Sequence, residues 1–278
     1  MERKNSKYAL NYIVYNSLYY NKIKYIKKIY DIIIDMDINS AKKYAITYGS
    51  RNYKRQRLRV ASELKTLDIF DEITPFSTLD LDNTFREKYK DILEEKRGGG
   101  FWIWKYQIIQ QTLEKMKDGD FLVYLDSGCK VNPKGKDRMN EYFEMLHKSE
   151  YGMISFQMSQ HLEYKWTTSS IFNYFNIKKD SNIANSGQYH ATVIIMQKKP
   201  HLYKWLNDAF KCLHDDRNLF TNKYNNIAKN MGFCDNRHDQ SVSSVLRKIH
   251  GSIILEDETL SHLKDSPKWP IWAKRLKD

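Results

Sequence analysis

The chain has 278 residues, 41% of them hydrophobic, which is enough for a sizeable core and too apolar for a disordered segment. Lys and Arg number 46 against 34 acidic residues, a formal charge of +12; because the two signs are interspersed, the excess points to a local basic cleft for a phosphorylated small molecule and away from a nucleic-acid-binding arm. Cys129, Cys212 and Cys234 are too few and too far apart for a disulfide framework or a zinc cluster, and no apolar run is long enough to span a membrane. A cytoplasmic, reducing setting is the expectation.

In residues 1–40, Tyr19, Ile23, Tyr25, Ile26, Ile29, Tyr30, Ile33 and Ile34 recur among lysines. The pattern suits a basic amphipathic helix, packed on the domain or making peripheral contact with a membrane surface. The expected organisation is therefore an N-terminal appendage, 1–40, and one domain, 41–278. Lys43 to Tyr48 reads as a strand, stopped by Gly49 and Ser50, and Gln56 to Leu67 as a helix. A strand, a glycine turn and a helix put backbone N–H groups at the strand end, a ready phosphate or nucleotide site. Of the basic residues there, Arg51, Lys54, Arg55 and Arg59 read as a solvated face, and Arg57 is the one expected to serve the site. Neither GxGxxG nor GxxxxGK[ST] occurs, so a dinucleotide fingerprint and a P-loop are unsupported.

Asp71 to Phe76 could be a second strand and Leu81 to Glu95 a polar helix. Gly98 to Gly100 then run into Phe101, Trp102 and Trp104, flexible backbone followed by large flat side chains. Lys105 opens a helix carrying Ile108, Ile109, Thr112, Leu113 and Met116, with Lys117, Asp118 and Gly119 as its stop. Phe121 to Leu125 is a continuous apolar run, the mark of a strand buried on both faces, and it ends on Asp126, Ser127 and Gly128. Open α/β sheets place ligands at such strand ends. Further on, Met139 to His147 is helical by pattern, Gly152 to Gln157 strand-like, and Thr167 to Ser170 a helix start. Asn185 to His190 reads as a polar turn, Ala191 to Met196 as a strand, and Pro200 to Leu213 and Asn236 to Ile249 as helices. This alternation defines an α/β fold.

Three places can carry chemistry. Asp126 can hold a divalent cation or merely cap a turn before Ser127 and Gly128. His238, Asp239 and Gln240 can bind metal, accept a proton or hydrogen-bond a hydroxyl, although Asp239 or Ser241 as a plain N-cap explains the same residues. Gln188 can be presented to substrate by the 185–190 turn. Lys105, an ammonium at a helix start, suits a phosphate or sugar hydroxyl, and a solvated lysine is the alternative.

The ordered segments ITYGS, RGGGFWIWK, GDFLVYLDSGC, LEYKWTTSSIFNYF and NRHDQSVSSVLRKIHG resemble a family of GT-A type glycosyltransferases found among bacterial surface-polysaccharide enzymes and large DNA viruses. The resemblance implies a single nucleotide-binding α/β domain with a mixed, mainly parallel sheet flanked by helices. It implies that Tyr48, Gly49 and Ser50 meet the nucleoside, that Trp104 and Lys105 serve the donor, and that Asp126, Ser127 and Gly128 replace the DxD metal motif. Tyr106 stands where the family usually has Pro, and a second carboxylate is missing after Asp126. His238 or Asp239 would then complete the coordination of Mn²⁺ or Mg²⁺. The implied activity is transfer of a sugar from a nucleotide-diphospho-sugar, UDP-linked, to a hydroxyl of a glycan or other acceptor. In the cell this would occur in the cytoplasm, or in a viral factory if the source is viral. The competing readings are a sugar-phosphate nucleotidyltransferase, resting on the partial loop GSRNYKRQR, and a non-enzymatic polyanion or membrane-surface binder.

Overall fold

Phe121 to Leu125 is β3, and its five side chains are fully buried within a seven-stranded sheet. A strand with no charged residue, whose one hydroxyl (Tyr124) is hydrogen-bonded, sits where both faces are covered, so this run fixes the centre of the fold. The computed structural model describes Lys24, residues 38–226 and residues 232–276. The helix expected across 1–40 falls outside these apart from Lys24 and 38–40. The chain divides into two units, Met1–Ala41 and Lys42–Asp278, and everything below belongs to the second.

β1 (Lys43–Tyr48) leads through helix α1 (Lys54–Lys65) to β2 (Glu72–Phe76), which lies parallel to it. Helix α2 (Trp104–Lys115) then feeds β3, which pairs parallel with the other side of β1. β4 (Lys130–Val131) and α3 (Lys136–Lys148) follow, then β5 (Met153–Leu162), β6 (Gly187–Tyr189) and β7 (Val193–Gln197). α4 (Pro200–Asp215), α5 (Asp239–His250), β8 (Ile253–Glu256) and β9 (Ile271–Trp272) complete the order. The sheet runs β2-β1-β3-β7-β5-β6, with β8 also on β5, and β4 with β9 makes a separate two-stranded ribbon. β6 and β7 run against the rest, so the sheet is mixed and mainly parallel.

Helices cover both faces. Tyr106, Ile109 and Leu113 of α2 pack with Trp205 and Leu206 of α4 and Val242 and Leu246 of α5 in one core. On the other face Phe143 of α3 meets Phe121, ring centroids 4.7 Å apart. Register then shapes the site. Met153 is level with Met196, which is level with Leu122, so Gln157 to Leu162 run on past the end of β3 by roughly 20 Å at 3.3 Å per residue. That overhang forms a wall.

Several local expectations change. The polar helix expected over 81–95 breaks at Tyr89 into Asn83–Lys88 and Lys90–Leu93, because Tyr89 leaves helical geometry at φ −116°, ψ 25°. Gly119 does not cap α2, which stops at Lys115 with an extended Met116; Gly119, at φ +91°, instead turns the chain into β3. The turn expected at 185–190 contains a strand, β6, since Gly187 lets the Met158 backbone come close enough to exclude any side chain there. β8 and β9 have no clear sequence signal, being short and only partly buried.

Candidate functional site

A cleft of about 2080 Å³ opens along the carboxyl ends of β1, β3 and β5. Tyr48, Gly49 and Ser50 line it at the end of β1, and Asp126, Ser127 and Gly128 at the end of β3. Gly49 has no room for a side chain, because a Cβ would lie 2.6 Å from the Tyr53 carbonyl oxygen. Tyr48 stacks on Trp104 at 3.7 Å between centroids and 20° between planes. Both rings are buried, so this pair is a wall of the site.

The glycine triplet is not a flexible hinge. Gly98, Gly99, Gly100, Phe101 and Trp102 all have positive φ, at 63°, 57°, 96°, 51° and 61°. This is a left-handed turn, which costs an L-residue about 1–2 kcal/mol per position and a glycine almost nothing. Three glycines therefore confine the cost to Phe101 and Trp102. The turn brings both rings against His238, at 4.9 and 5.7 Å, and lets Trp104 Nε1 donate to the Gly98 carbonyl at 2.9 Å.

The charges converge behind that wall. The Lys105 ammonium, on a side chain only 4% exposed, donates to Asp239 Oδ2 at 2.5 Å and to the Ala191 carbonyl at 2.9 Å, and stands 3.7 Å from Asp126 Oδ1. The Tyr124 hydroxyl donates to Asp126 Oδ1, and the Tyr124 ring lies 4.9 Å from the ammonium. Burial pushes the Asp239 carboxyl up to about 6 against the opposing pull of Lys105. Asp126 is the more open carboxylate, its side chain 30% exposed. Thus the position between the two carboxylates, expected to take a shared metal ion, holds an ammonium.

The three-residue metal set expected from Asp126, His238 and Asp239 is not assembled, since no group of three such ligands occurs among the described residues. His238 Nδ1 bonds the Phe220 carbonyl at 2.8 Å, which sets that nitrogen as the N–H donor, and Nε2 is buried with no partner. Burial and the Arg97 charge hold its pKa down at about 4, so the ring is neutral. Its backbone is strained, at φ 59°, ψ −120°, a conformation that costs a non-glycine residue of order 1–3 kcal/mol. That kink starts α5 without a side-chain cap and turns Asp239, its first residue, toward Lys105. Neither Asp239 nor Ser241 is the N-cap; Ser241 Oγ donates to the Trp166 carbonyl at 2.6 Å.

Two other expected residues lie outside the cleft. Gln188 is fully buried behind it: its Oε1 accepts from Gln240 Nε2 at 2.6 Å and its Nε2 donates to Glu163 Oε1 at 3.0 Å. Glu163 also receives Lys248 Nζ at 2.6 Å and Ser244 Oγ at 2.7 Å. Gln240 lines the cleft and accepts the Ala191 N–H, so this polar network anchors the segment that holds Lys105. Arg57 turns toward the Pro75 carbonyl, 3.4 Å away. Two residues on, Arg59 reaches the site instead: its Nη2 donates to the Ser127 and Cys129 carbonyls at 2.9 and 3.0 Å and Nη1 pairs with Glu63 at 2.9 Å. Glu63 also takes Lys130 Nζ and the Val131 N–H. Sequence reasoning passed over this clamp, although the four-residue spacing of Arg59 and Glu63 was visible. Glu163, Lys248 and Tyr124 gave no such signal.

No family model matches the chain, and no curated protein matches it in sequence. Among solved structures, it is similar to a glycosyltransferase involved in the glycosylation of the major capsid of PBCV-1, at 12% identity and TM-score 0.44, over 83% of this chain and 93% of that one. It is similar to the glycosyltransferase GlyE of Streptococcus pneumoniae at 14% identity and TM-score 0.40, over 79% of this chain and 46% of that one. Mouse xyloside xylosyltransferase 1, in its apo form, aligns at 10% identity and TM-score 0.43, over 84% of this chain and 97% of that one.

Proposed function

We propose that the protein transfers a sugar from a nucleotide-diphospho-sugar, UDP-linked by the sequence resemblance, to a hydroxyl of a glycan or other acceptor. One observation carries the reading: a partly exposed carboxylate, Asp126, follows a buried strand inside a large cleft and is backed by the buried Lys105 and Asp239 ion pair. The Tyr48, Gly49 and Ser50 end of β1, the strand beside β3, supplies a surface for the nucleoside.

In the reaction the acceptor oxygen attacks the anomeric carbon, the bond from that carbon to the diphosphate breaks, and the electron pair leaves with the nucleoside diphosphate. Asp126 suits a divalent ion that takes its remaining oxygens from donor phosphates and water, the usual manner of Mg²⁺. Such an ion, Mn²⁺ or Mg²⁺, would supply charge neutralisation to the departing diphosphate. Tyr124 and Arg59 fix the turn that presents Asp126. A carboxyl pushed up to about 6 is matched to proton transfer near neutral pH, so Asp239 is the proposed acceptor of the hydroxyl proton. A nucleotidyl transfer would want the basic residues after β1 turned into the cleft, whereas Arg57 and Arg59 are engaged with backbone carbonyls and neither lines it.

A thermal-shift screen of UDP-, GDP- and dTDP-sugars with and without Mn²⁺ tests the reading. The expected result is metal-dependent stabilisation by one nucleotide class, abolished by Asp126→Ala. No shift with any nucleotide-sugar, or undiminished binding by Asp126→Ala, would overturn it.

A further inference from the structure

The cleft extends well beyond Asp126, to the overhanging half of β5. Four arginines line it, Arg97, Arg138, Arg237 and Arg275; Arg97 pairs with Asp235 and Arg138 with Glu141 and Glu258, which leaves Arg237 and Arg275. Arg237 lies over Trp166, its guanidinium carbon 4.0 Å from the ring centre, and its backbone N–H donates to the Trp166 carbonyl at 3.2 Å. Arg275 comes from the far end of the chain. The β4–β9 ribbon ties down its segment, and the next residue, Leu276, donates its N–H to the Gly128 carbonyl at 2.9 Å. Arg275 takes φ +54°, an unfavourable conformation for a side-chain-bearing residue and one that recurs at functional sites.

Neither arginine has a carboxylate within ion-pair distance among the described residues. Three of the acids on this side are engaged elsewhere: Asp235 with Arg97 at 3.2 Å and Asn225 at 2.7 Å, Asp257 with the Thr259 hydroxyl at 2.6 Å, and Glu258 with Arg138 at 2.5 Å; Glu256, level with Gln157, also lines the cleft. The two arginines also feel each other. After burial, the Arg275 charge is the largest influence lowering the Arg237 pKa, and both arginines lower that of His161, which lies on the β5 overhang. The Asp235 charge offsets part of this at Arg237, but neighbouring like charges that no carboxylate pairs directly still cost free energy that a bound anion would recover.

β7 lies between β3 and β5, which puts the β5 wall roughly 10 Å along the sheet edge from the strand that ends on Asp126. We propose that Arg237 and Arg275 form an anion subsite on the acceptor side of the cleft, so that the acceptor is a sugar or glycan carrying a phosphate or carboxylate group. The word acceptor rests on the glycosyl-transfer reading; the anion subsite does not.

The test is titration calorimetry on the full chain at low salt with glucose 6-phosphate, glucuronate, glucose and UDP with Mn²⁺, comparing the parent, Arg275→Gln, Arg237→Gln and Asp126→Ala. Arg275 is exposed, so its variant keeps the fold even if Arg237→Gln does not. At least one anionic sugar is expected to bind the parent and Asp126→Ala alike, with neutral glucose silent. Each arginine variant should weaken that binding roughly tenfold or more, the effect of losing a charged hydrogen-bond partner, and leave UDP affinity unchanged. The proposal fails if neither anionic sugar binds, or if the arginine variants bind them as the parent does. A loss of UDP affinity in the arginine variants would assign both residues to the donor diphosphate and also overturn it. Anion binding that needs the arginines, in a protein that ignores every nucleotide-sugar, would support the subsite and sink the transfer reading alone.

Discussion

At the scale of single residues, Lys105 organises the centre. A buried ammonium is tolerable only with anionic and carbonyl partners, and Asp239 and Ala191 supply them at 2.5 and 2.9 Å. Removing one member of a buried pair leaves an uncompensated charge and costs about 3–5 kcal/mol, whereas removing both can be nearly neutral. Lys105→Met and Asp239→Asn should therefore each lower the unfolding free energy by about that much, with the double variant well short of their sum. Denaturant melts of the four proteins measure it, and strict additivity would show that the pair does not interact as described. In kinetics, a base whose pKa is pushed up to about 6 predicts that kcat/KM falls as pH drops below that value. A flat acid limb would remove Asp239 from that role.

At the scale of elements, the stretch from Arg97 to Trp102 separates what sequence reasoning can reach from what it cannot. The strand ends at Ser50 and Asp126 were legible because a buried strand must be apolar throughout and must stop at polar or glycine residues. The glycine triplet was visible too, but its meaning was not: flexibility and a fixed left-handed turn have the same composition, and only the five positive φ values distinguish them. Gln188 was misplaced for a related reason, since a polar residue before a strand reads alike whether it faces solvent or a buried carboxylate such as Glu163. The turn yields a graded prediction. At Gly99 an added Cβ meets nothing closer than 3.9 Å, so Gly99→Ala should cost only the left-handed backbone, about 1–2 kcal/mol. At Gly100 it would come within 2.8 Å of the Leu93 Cα, backbone that cannot swing aside, so Gly100→Ala should cost distinctly more. Equal losses at the two positions in denaturant melts would contradict the packing described for Gly100.

At the scale of the whole molecule, two neighbouring buried groups oppose each other in the acid response. His238 is held down at about 4, below the unfolded value for histidine near 6.5. The unfolded chain therefore binds more protons between these values, so this contribution to stability is complete above about 6.5 and is lost as pH falls through 4. Asp239 behaves in the opposite sense. Its folded pKa of about 6 exceeds the unfolded value near 3.8, so the native state binds more protons in that window and its contribution is lost as pH rises from about 4 to 6. Each shift corresponds to about 3 kcal/mol, and the two slopes overlap and largely cancel. His238→Phe keeps an aromatic ring beside Phe101 and Trp102 but removes the first slope, so relative to the parent its melting temperature should improve as pH is lowered from 6.5 to 4. The Lys105→Met, Asp239→Asn double variant removes the second, and relative to the parent it should worsen over the same range. Differences from the parent at each pH cancel the titration of Glu63 and the other carboxylates, so curves that run parallel to the parent for both variants would show that neither group is as buried, or as perturbed, as the structure requires.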